Sequence, residues 1–214
     1  MFEGHLTYEF MTIAQIERFY APHYPKWSRD HYYNLVERLQ LPHCQQIKNM
    51  SCGQRSQVVL GLIMAQQAEL LILDDYSMGL DAGYRRLFLD YMREYLKDGD
   101  KTVLLTSHVI QDMERFVNEI LFLEHGGDLL ITSPEKFMST FQRYRLPRNG
   151  KAHDPIIDEV IKNVETHTDY WDIFSFYKKS RLIKTLEDQG FDPSELKPLT
   201  MSLEDAFIGF TGRY

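Results

Sequence analysis

The stretch MSCGQRSQVVLGLIMAQQAELLILDDYSMGLD, Met50 to Asp81, sets three chemically distinct elements at fixed spacing. A polar turn containing a glycine, Ser51 to Gln54, opens a helix expected over about Gly53 to Gln67, with Val58, Leu62 and Ala65 on one stripe and Val59, Ile63 and Gln66 beside it. Leu70 to Leu73 is too short for a helix and apolar on both faces, so it reads as a fully buried strand. That strand ends in adjacent carboxylates, Asp74 and Asp75, and a second glycine turn closes at Asp81.

Working outward, Tyr84 to Lys97 is amphipathic and stops at Asp98 and Gly99, Thr102 to Ser107 reads as a second buried strand, and Ile110 to Val117 as a short helix. Ile120 to Leu123 is a third strand, which the turn at His125, Gly126 and Gly127 returns as Asp128 to Thr132. Ser133 and Pro134 then start another helix, as cap and first position. Alternation of strand and helix implies an α/β fold with a parallel sheet covered by helices. Upstream, Pro22 and Pro25 separate two expected helices, about Thr7 to Tyr20 and Ser28 to Leu39, the second capped by Ser28. Their aromatic residues, among them Tyr8, Phe10, Phe19, Trp27, Tyr32 and Tyr33, suit packing between helices or a partner surface. Downstream, the polar run from Arg143 to Asp154, with Pro and Gly, reads as a linker to a small element with helices near Ile156 to Val164 and Ser180 to Gln189.

The 214 residues are 43% hydrophobic, enough for a substantial core and an appendage, which excludes a disordered chain. A net charge of −7 argues against nonspecific nucleic-acid binding. Only Cys44 and Cys52 occur, so no disulfide framework is expected and a reducing cytosol fits. The start, MFEGHLTYEF, is neither basic nor apolar as a secretory signal would be, and no apolar run nears the roughly 20 residues that span a bilayer. Any membrane role would be peripheral.

MetSerCysGlyGln, residues 50 to 54, resembles the signature motif of ABC transporter ATPases, LSGGQ, at three of five positions. The physics suits an anion, because a glycine admits close backbone approach and the free amides at a helix N-terminus favour phosphate. The resemblance implies that Ser51, Cys52, Gly53 and Gln54 contact nucleotide, and Cys52, standing for a glycine, is expected to strain the turn or narrow the approach. Taken alone, the pentapeptide fits an ordinary Ser-capped helix. LeuLeuIleLeuAspAsp, 70 to 75, resembles a Walker B strand, which delivers its charge to the sheet edge where ligands of open α/β folds bind. By that likeness Asp74 would hold Mg²⁺, through water. Asp75 takes the place of the catalytic glutamate, and being one methylene shorter it is expected to slow or abolish hydrolysis, since a misplacement of about 1 Å can cost roughly 100-fold. GlyLeuAsp, 79 to 81, is similar to the D-loop, which implies that Asp81 lies along a dimer interface, while Tyr76 departs from the usual proline. ThrSerHis, 106 to 108, resembles the switch-histidine loop, with His108 placed to hold the γ-phosphate and the attacking water. SerLeuGluAspAlaPheIleGlyPheThrGlyArg, 202 to 213, is similar to the closing helix of ATPase subunits serving ABC-2 type exporters.

The phosphate cradle GxxxxGK[ST] is missing from the sequence, whose GlyLys pair at 150 and 151 has Arg145 at the other glycine position and Ala152 after it. Met1 to Thr7 resembles the stretch after the Q-loop, so the chain corresponds to about the last two thirds of such a subunit. The implied fold is a partial P-loop NTPase (RecA-like) core with a helical subdomain and a small C-terminal accessory element: residues 1–145 as the ATPase part (helical subdomain to about 67, core half 68–145) and 146–214 as the accessory region. The implied function is that of an ATP-binding and hydrolysing subunit powering an export permease. It would use ATP and Mg²⁺, pair with a second ATPase subunit and lie on the inner face of the plasma membrane. As given, the chain is expected to bind ATP weakly or not at all. The alternative is a non-catalytic regulatory subunit of the same descent, and no nucleic-acid partner is expected.

Overall fold

The computed structural model describes residues 8–75, 81–97, 99–114, 116–123, 129–151 and 153–212, and the chain divides into two compact units, Met1–Asp112 and Met113–Tyr214. The expectations for Met1 to Thr7, for Tyr76 and the glycine turn through Leu80, and for the turn at 125–127 lie outside the described residues.

The first unit is built on three helices, α1 (Ile13–Tyr20), α2 (Arg29–Val36) and α3 (Cys52–Ala65). Helix α1 begins later than its apolar pattern suggests, because Thr12 and Gln15 form a reciprocal capping box that fixes the start at Ile13. Ser28 caps α2 by accepting from the His31 amide, and the expected run to Leu39 is completed by a 3₁₀ turn, Glu37–Leu39. Ile13, Ile16, Tyr32, Val36, Ile47, Val58, Leu62 and Ala65 form one core, so the predicted stripe of α3 faces inward and the aromatic Tyr32 packs there. Its hydroxyl donates to the Ile13 carbonyl at 2.8 Å, which satisfies the polar tip of a fully buried ring. Gln57 likewise donates to the Leu35 carbonyl, tying α3 to α2.

Strand β1 (Leu70–Leu73) pairs in parallel with β2 (Thr102–Leu105), with Leu70 opposite Thr102 and Leu73 opposite Leu105; α4 (Ala82–Tyr95) lies between them in the chain. The strands are not fully buried as expected. Leu71 and Leu73 are 4% and 2% exposed, whereas Leu70 and Ile72 are 54% and 67% exposed, and Leu104 of β2 shares their open face. An unbroken apolar run is composed for burial on both faces, and within this unit only one is covered. Helix α5 (Ile110–Met113) is shorter than expected.

In the second unit β3 (Ile120–Leu123) forms an antiparallel hairpin with β4 (Leu129–Thr132), so among the described residues the parallel pairing is confined to β1 and β2. Ser133 caps α6 (Pro134–Thr140), with Pro134 at its first turn as read from the sequence. A four-stranded antiparallel sheet follows in the order β6-β7-β5-β8, from β5 (Gln142–Pro147), β6 (Asn163–Thr166), β7 (Tyr170–Ser175) and β8 (Lys197–Leu199). Residues 143–147, expected as linker, are thus an inner strand. Tyr144 and Leu146 point into the core beside Trp171 and Ile173, while Arg143 and Arg145 alternate with them and bind the fully buried Asp172 of β7 at 2.6 and 2.8 Å. The expected helix near 156–164 is absent. Asp158 accepts from the amides of Val160 and Ile161, a local turn that competes with helix, and the chain enters β6 instead. Helix α7 (Lys179–Asp188) buries Leu182 and Leu186, and α8 (Leu203–Thr211) is fixed by a capping box between Ser202 and Asp205. Gly209 of α8 lies so close to β7 that an added Cβ would stand 2.2 Å from the Phe174 ring.

Candidate functional site

Parallel pairing in this register ends β1 and β2 side by side, so the residues after Leu73 and after Leu105 emerge at one edge. Thr106 there joins the two carboxylate positions. Its hydroxyl donates to Asp74 Oδ1 at 2.6 Å and its oxygen accepts the Asp75 amide at 2.8 Å. The Thr106 amide in turn donates to the Leu73 carbonyl at 2.9 Å, so the threonine is held by the strand it organises. Asp75 adopts φ 40°, in the left-handed region that Asp tolerates better than most residues. Ser107 accepts from the Val109 amide and shapes the turn that carries His108. The imidazole Nε2 stands 3.8 Å from Asp75 Oδ2, beyond a hydrogen bond, and its side chain is 92% exposed against 20% for Asp75. The arrangement is a carboxylate pair at a strand edge with a solvent-facing imidazole alongside, able to hold a hydrated cation and to orient a water.

The turn at 51–54 forms a separate group. Ser51 accepts from the Gln54 amide and Gln54 Oε1 accepts from the Ser51 amide, so both side chains are used in a capping box, the plainer of the two readings of this pentapeptide. Among the described residues no hydrogen bond or ion pair of this turn reaches Asp74, Asp75 or His108. Cys52 is the first residue of α3 and does not have a positive φ, so the expected backbone strain of replacing a glycine there is not found. Gly53 serves close packing: a Cβ there would stand 2.6 Å from the Tyr84 ring of α4. Asp81 caps α4, accepting from the Tyr84 amide at 2.9 Å. Sequence reasoning missed Thr106 as a site residue; the available signal was a hydroxyl residue following the strand that neighbours the carboxylate strand.

A second cluster, Glu165, His167 and Asp172 of the second unit, brings its ligand atoms within 4.8 Å of one another. Both oxygens of Asp172 already accept from Arg143 and Arg145, so the local charge is met by guanidinium and the cluster is an ion-pair network.

No protein-family model matches the chain. The ABC transporter ATP-binding protein YtrB of Bacillus subtilis is 26% identical over 210 residues, which is 96% of this chain and 70% of that protein. The Nod factor export ATP-binding protein I of Cupriavidus metallidurans is 26% identical over 171 residues, 78% of this chain and 55% of that protein. Among solved structures, the ATP-binding subunit of an ABC transporter superposes with a TM-score of 0.53 at 21% identity, over 63% of this chain and 57% of that one, which places the fold among ABC ATPase domains. Among the described residues no helix is long and apolar enough to cross a membrane. With the Asp74, Asp75 and His108 positions gathered at one strand edge and the relatives agreeing over most of its length, the chain is homologous to the ATP-binding subunits of ABC transporters.

Proposed function

We propose that these residues form the part of an ABC-type ATPase subunit that supplies the metal-binding carboxylate, the hydrolysis-site residues and the signature turn, and that the complete assembly uses Mg-ATP to drive an export permease. The observation that carries this reading is Thr106 holding the Asp74 side chain and the Asp75 amide together beside His108. An oxygen donor set suits Mg²⁺, which keeps most of its water, so Asp74 would hold the ion through that shell. Asp75 would accept a hydrogen bond from the attacking water, and His108, its side chain 92% exposed beside Asp75, would steady that water and the terminal phosphate.

The residues present do not make a phosphate cradle, since the sequence has no GxxxxGK[ST]. Tight nucleotide binding therefore requires a cradle from elsewhere, and a second ATPase subunit would take the amides of Cys52 and Gly53 as its signature contact across a dimer interface near Asp81. The helices up to about residue 67 would face the permease on the inner side of the plasma membrane, residues from 68 up to β5 would form the core half, and the four-stranded sheet from β5 onward with its helices would be the accessory element. A fluorescent ATP analogue titrated with Mg²⁺ tests this, using the 214-residue chain and a form extended in frame by a Walker A-bearing segment. Binding by the extended form alone, weakened by Asp74→Asn, is expected. Tight binding by the 214 residues alone, or an extended form indifferent to Asp74→Asn, would overturn the proposal.

A further inference from the structure

Among the described residues, the second unit of this acidic chain carries a concentrated cationic segment. Phe176-Tyr177-Lys178-Lys179-Ser180-Arg181-Leu182-Ile183-Lys184 contains four cations and no acid, in a protein of net charge −7. Lys178, Lys179, Arg181 and Lys184 are exposed, Phe176 and Tyr177 are 39% and 37% exposed with the Phe176 ring packed on Phe141 at 4.6 Å, and Leu182 anchors the segment in the core. The platform is fixed: the Ser175 hydroxyl donates to the Val160 carbonyl at 2.6 Å and accepts the Tyr177 amide at 2.9 Å. Arg181 lies over the Tyr177 ring at 4.7 Å. Among the described residues Lys178, Lys179 and Lys184 are in no ion pair.

The charges also run against the helix that bears them. Helix α7 has no acid in its first turn and no base in its last, with Lys179 and Arg181 at the positive end and Glu187 and Asp188 at the negative end. Each inversion works against the macrodipole, and a local rule broken without local compensation points to a function for the charges. An exposed run of cations bordered by the outer edges of two partly covered rings suits the headgroup layer of a bilayer, where cations meet anionic lipid.

We infer that Phe176 to Lys184 is a docking surface for an anionic lipid bilayer. The inference rests on the proposed function only in expecting a membrane near the chain. Each Lys or Arg close to an anionic surface strengthens binding about fivefold, and the contribution fades within a Debye length as salt rises.

The test is co-sedimentation of the full chain with phosphatidylcholine vesicles, with and without phosphatidylglycerol, at low and high salt. The comparison is the variant Lys179→Glu/Arg181→Glu, whose new charges complement the helix dipole, so its thermal stability should hold or rise while binding falls about 600-fold, as four unit charges at about fivefold each require. Binding that needs phosphatidylglycerol, weakens in salt and disappears in this stable variant is the expected result. Equal sedimentation with neutral vesicles, or undiminished binding by the variant, would overturn the inference. Displacement from vesicles by soluble glycerophosphate would reassign the site to a free phosphate ligand, and tighter binding to an oligonucleotide than to vesicles would reassign it to nucleic acid; either outcome defeats the lipid assignment. Nucleotide binding is not measured in this experiment, so it can fail while the ATPase reading stands.

Discussion

Thr106→Val keeps the shape of the side chain and removes its hydroxyl, which both donates to Asp74 Oδ1 and accepts the Asp75 amide. A neutral amide bond of this kind contributes about 0.5–1.5 kcal/mol, and the bond to the carboxylate, exposed to water, belongs near the low end of the charged range of about 1.5–3 kcal/mol. Set against them is the left-handed conformation of Asp75 at φ 40°, which costs about 1–2 kcal/mol and is held in part by that amide bond. Losing the bond therefore nearly balances the two conformations, and the turn should open often enough to lower protection of the Asp75 amide about tenfold, the equivalent of about 1.4 kcal/mol. Hydrogen exchange followed by NMR on the labelled full chain reads this directly. Thr106→Ser, which restores the hydroxyl, should recover most of the protection, while amides in α3 remain unchanged in both variants. An Asp75 amide that exchanges equally in the Val variant and the parent, or that is lost equally with Ser, would refute the assigned role of Thr106.

Gly209→Ala separates propensity from packing. Helix propensity alone would stabilise α8 by about 1 kcal/mol, but the methyl meets the buried Phe174 ring at 2.2 Å, and overpacking costs about 1–3 kcal/mol. A lower denaturation midpoint by Trp171 fluorescence in a Trp27→Phe background is expected, and a raised midpoint would show that α8 shifts freely. The second unit should also resist acid. Burial pushes the Asp172 carboxyl up, but hydrogen bonds from Arg145 and Arg143 outweigh it and hold it below its ordinary value, while the Ser202 amide lowers Asp205. Because these folded-state values are depressed, their stabilisation is present above the unfolded carboxylate value of about 3.9 and is lost as pH falls through the lower folded values. The acid midpoint read from Trp171 should rise in Arg145→Met, and identical midpoints would contradict this account.

The site region was readable because its signals are local and its geometry follows from pairing. A short apolar run ending in carboxylates, followed by another ending in ThrSerHis, can only bring Asp74, Asp75 and His108 to one edge if the strands are parallel and in register, as Leu73 opposite Leu105 makes them. The helix starts at Ser28, Ser51 and Ser133 were equally local, each resting on one hydroxyl and the amide it accepts. The second unit was misread where long-range partners decide. Arg143 and Arg145 look like linker residues until Asp172, distant in sequence, supplies the buried countercharge that turns a polar run into an inner strand. Ile156 to Val164 has the composition of a helix, but the Asp158 carboxylate draws two amides out of any such pattern.

Asp75 shows how a departure from a family pattern changes meaning once the backbone is known. From sequence, Asp in place of Glu is a loss of reach by one methylene. In the fold the residue sits at φ 40° with its amide on Thr106, a conformation in which Asp is enriched several-fold among residues other than glycine because its short side chain can bond locally. A glutamate would regain reach at the cost of that conformational preference. The shorter side chain and the left-handed turn are therefore mutually consistent features of this edge, and the position of the Asp75 carboxylate is set by the turn that Thr106 holds as much as by the length of the side chain.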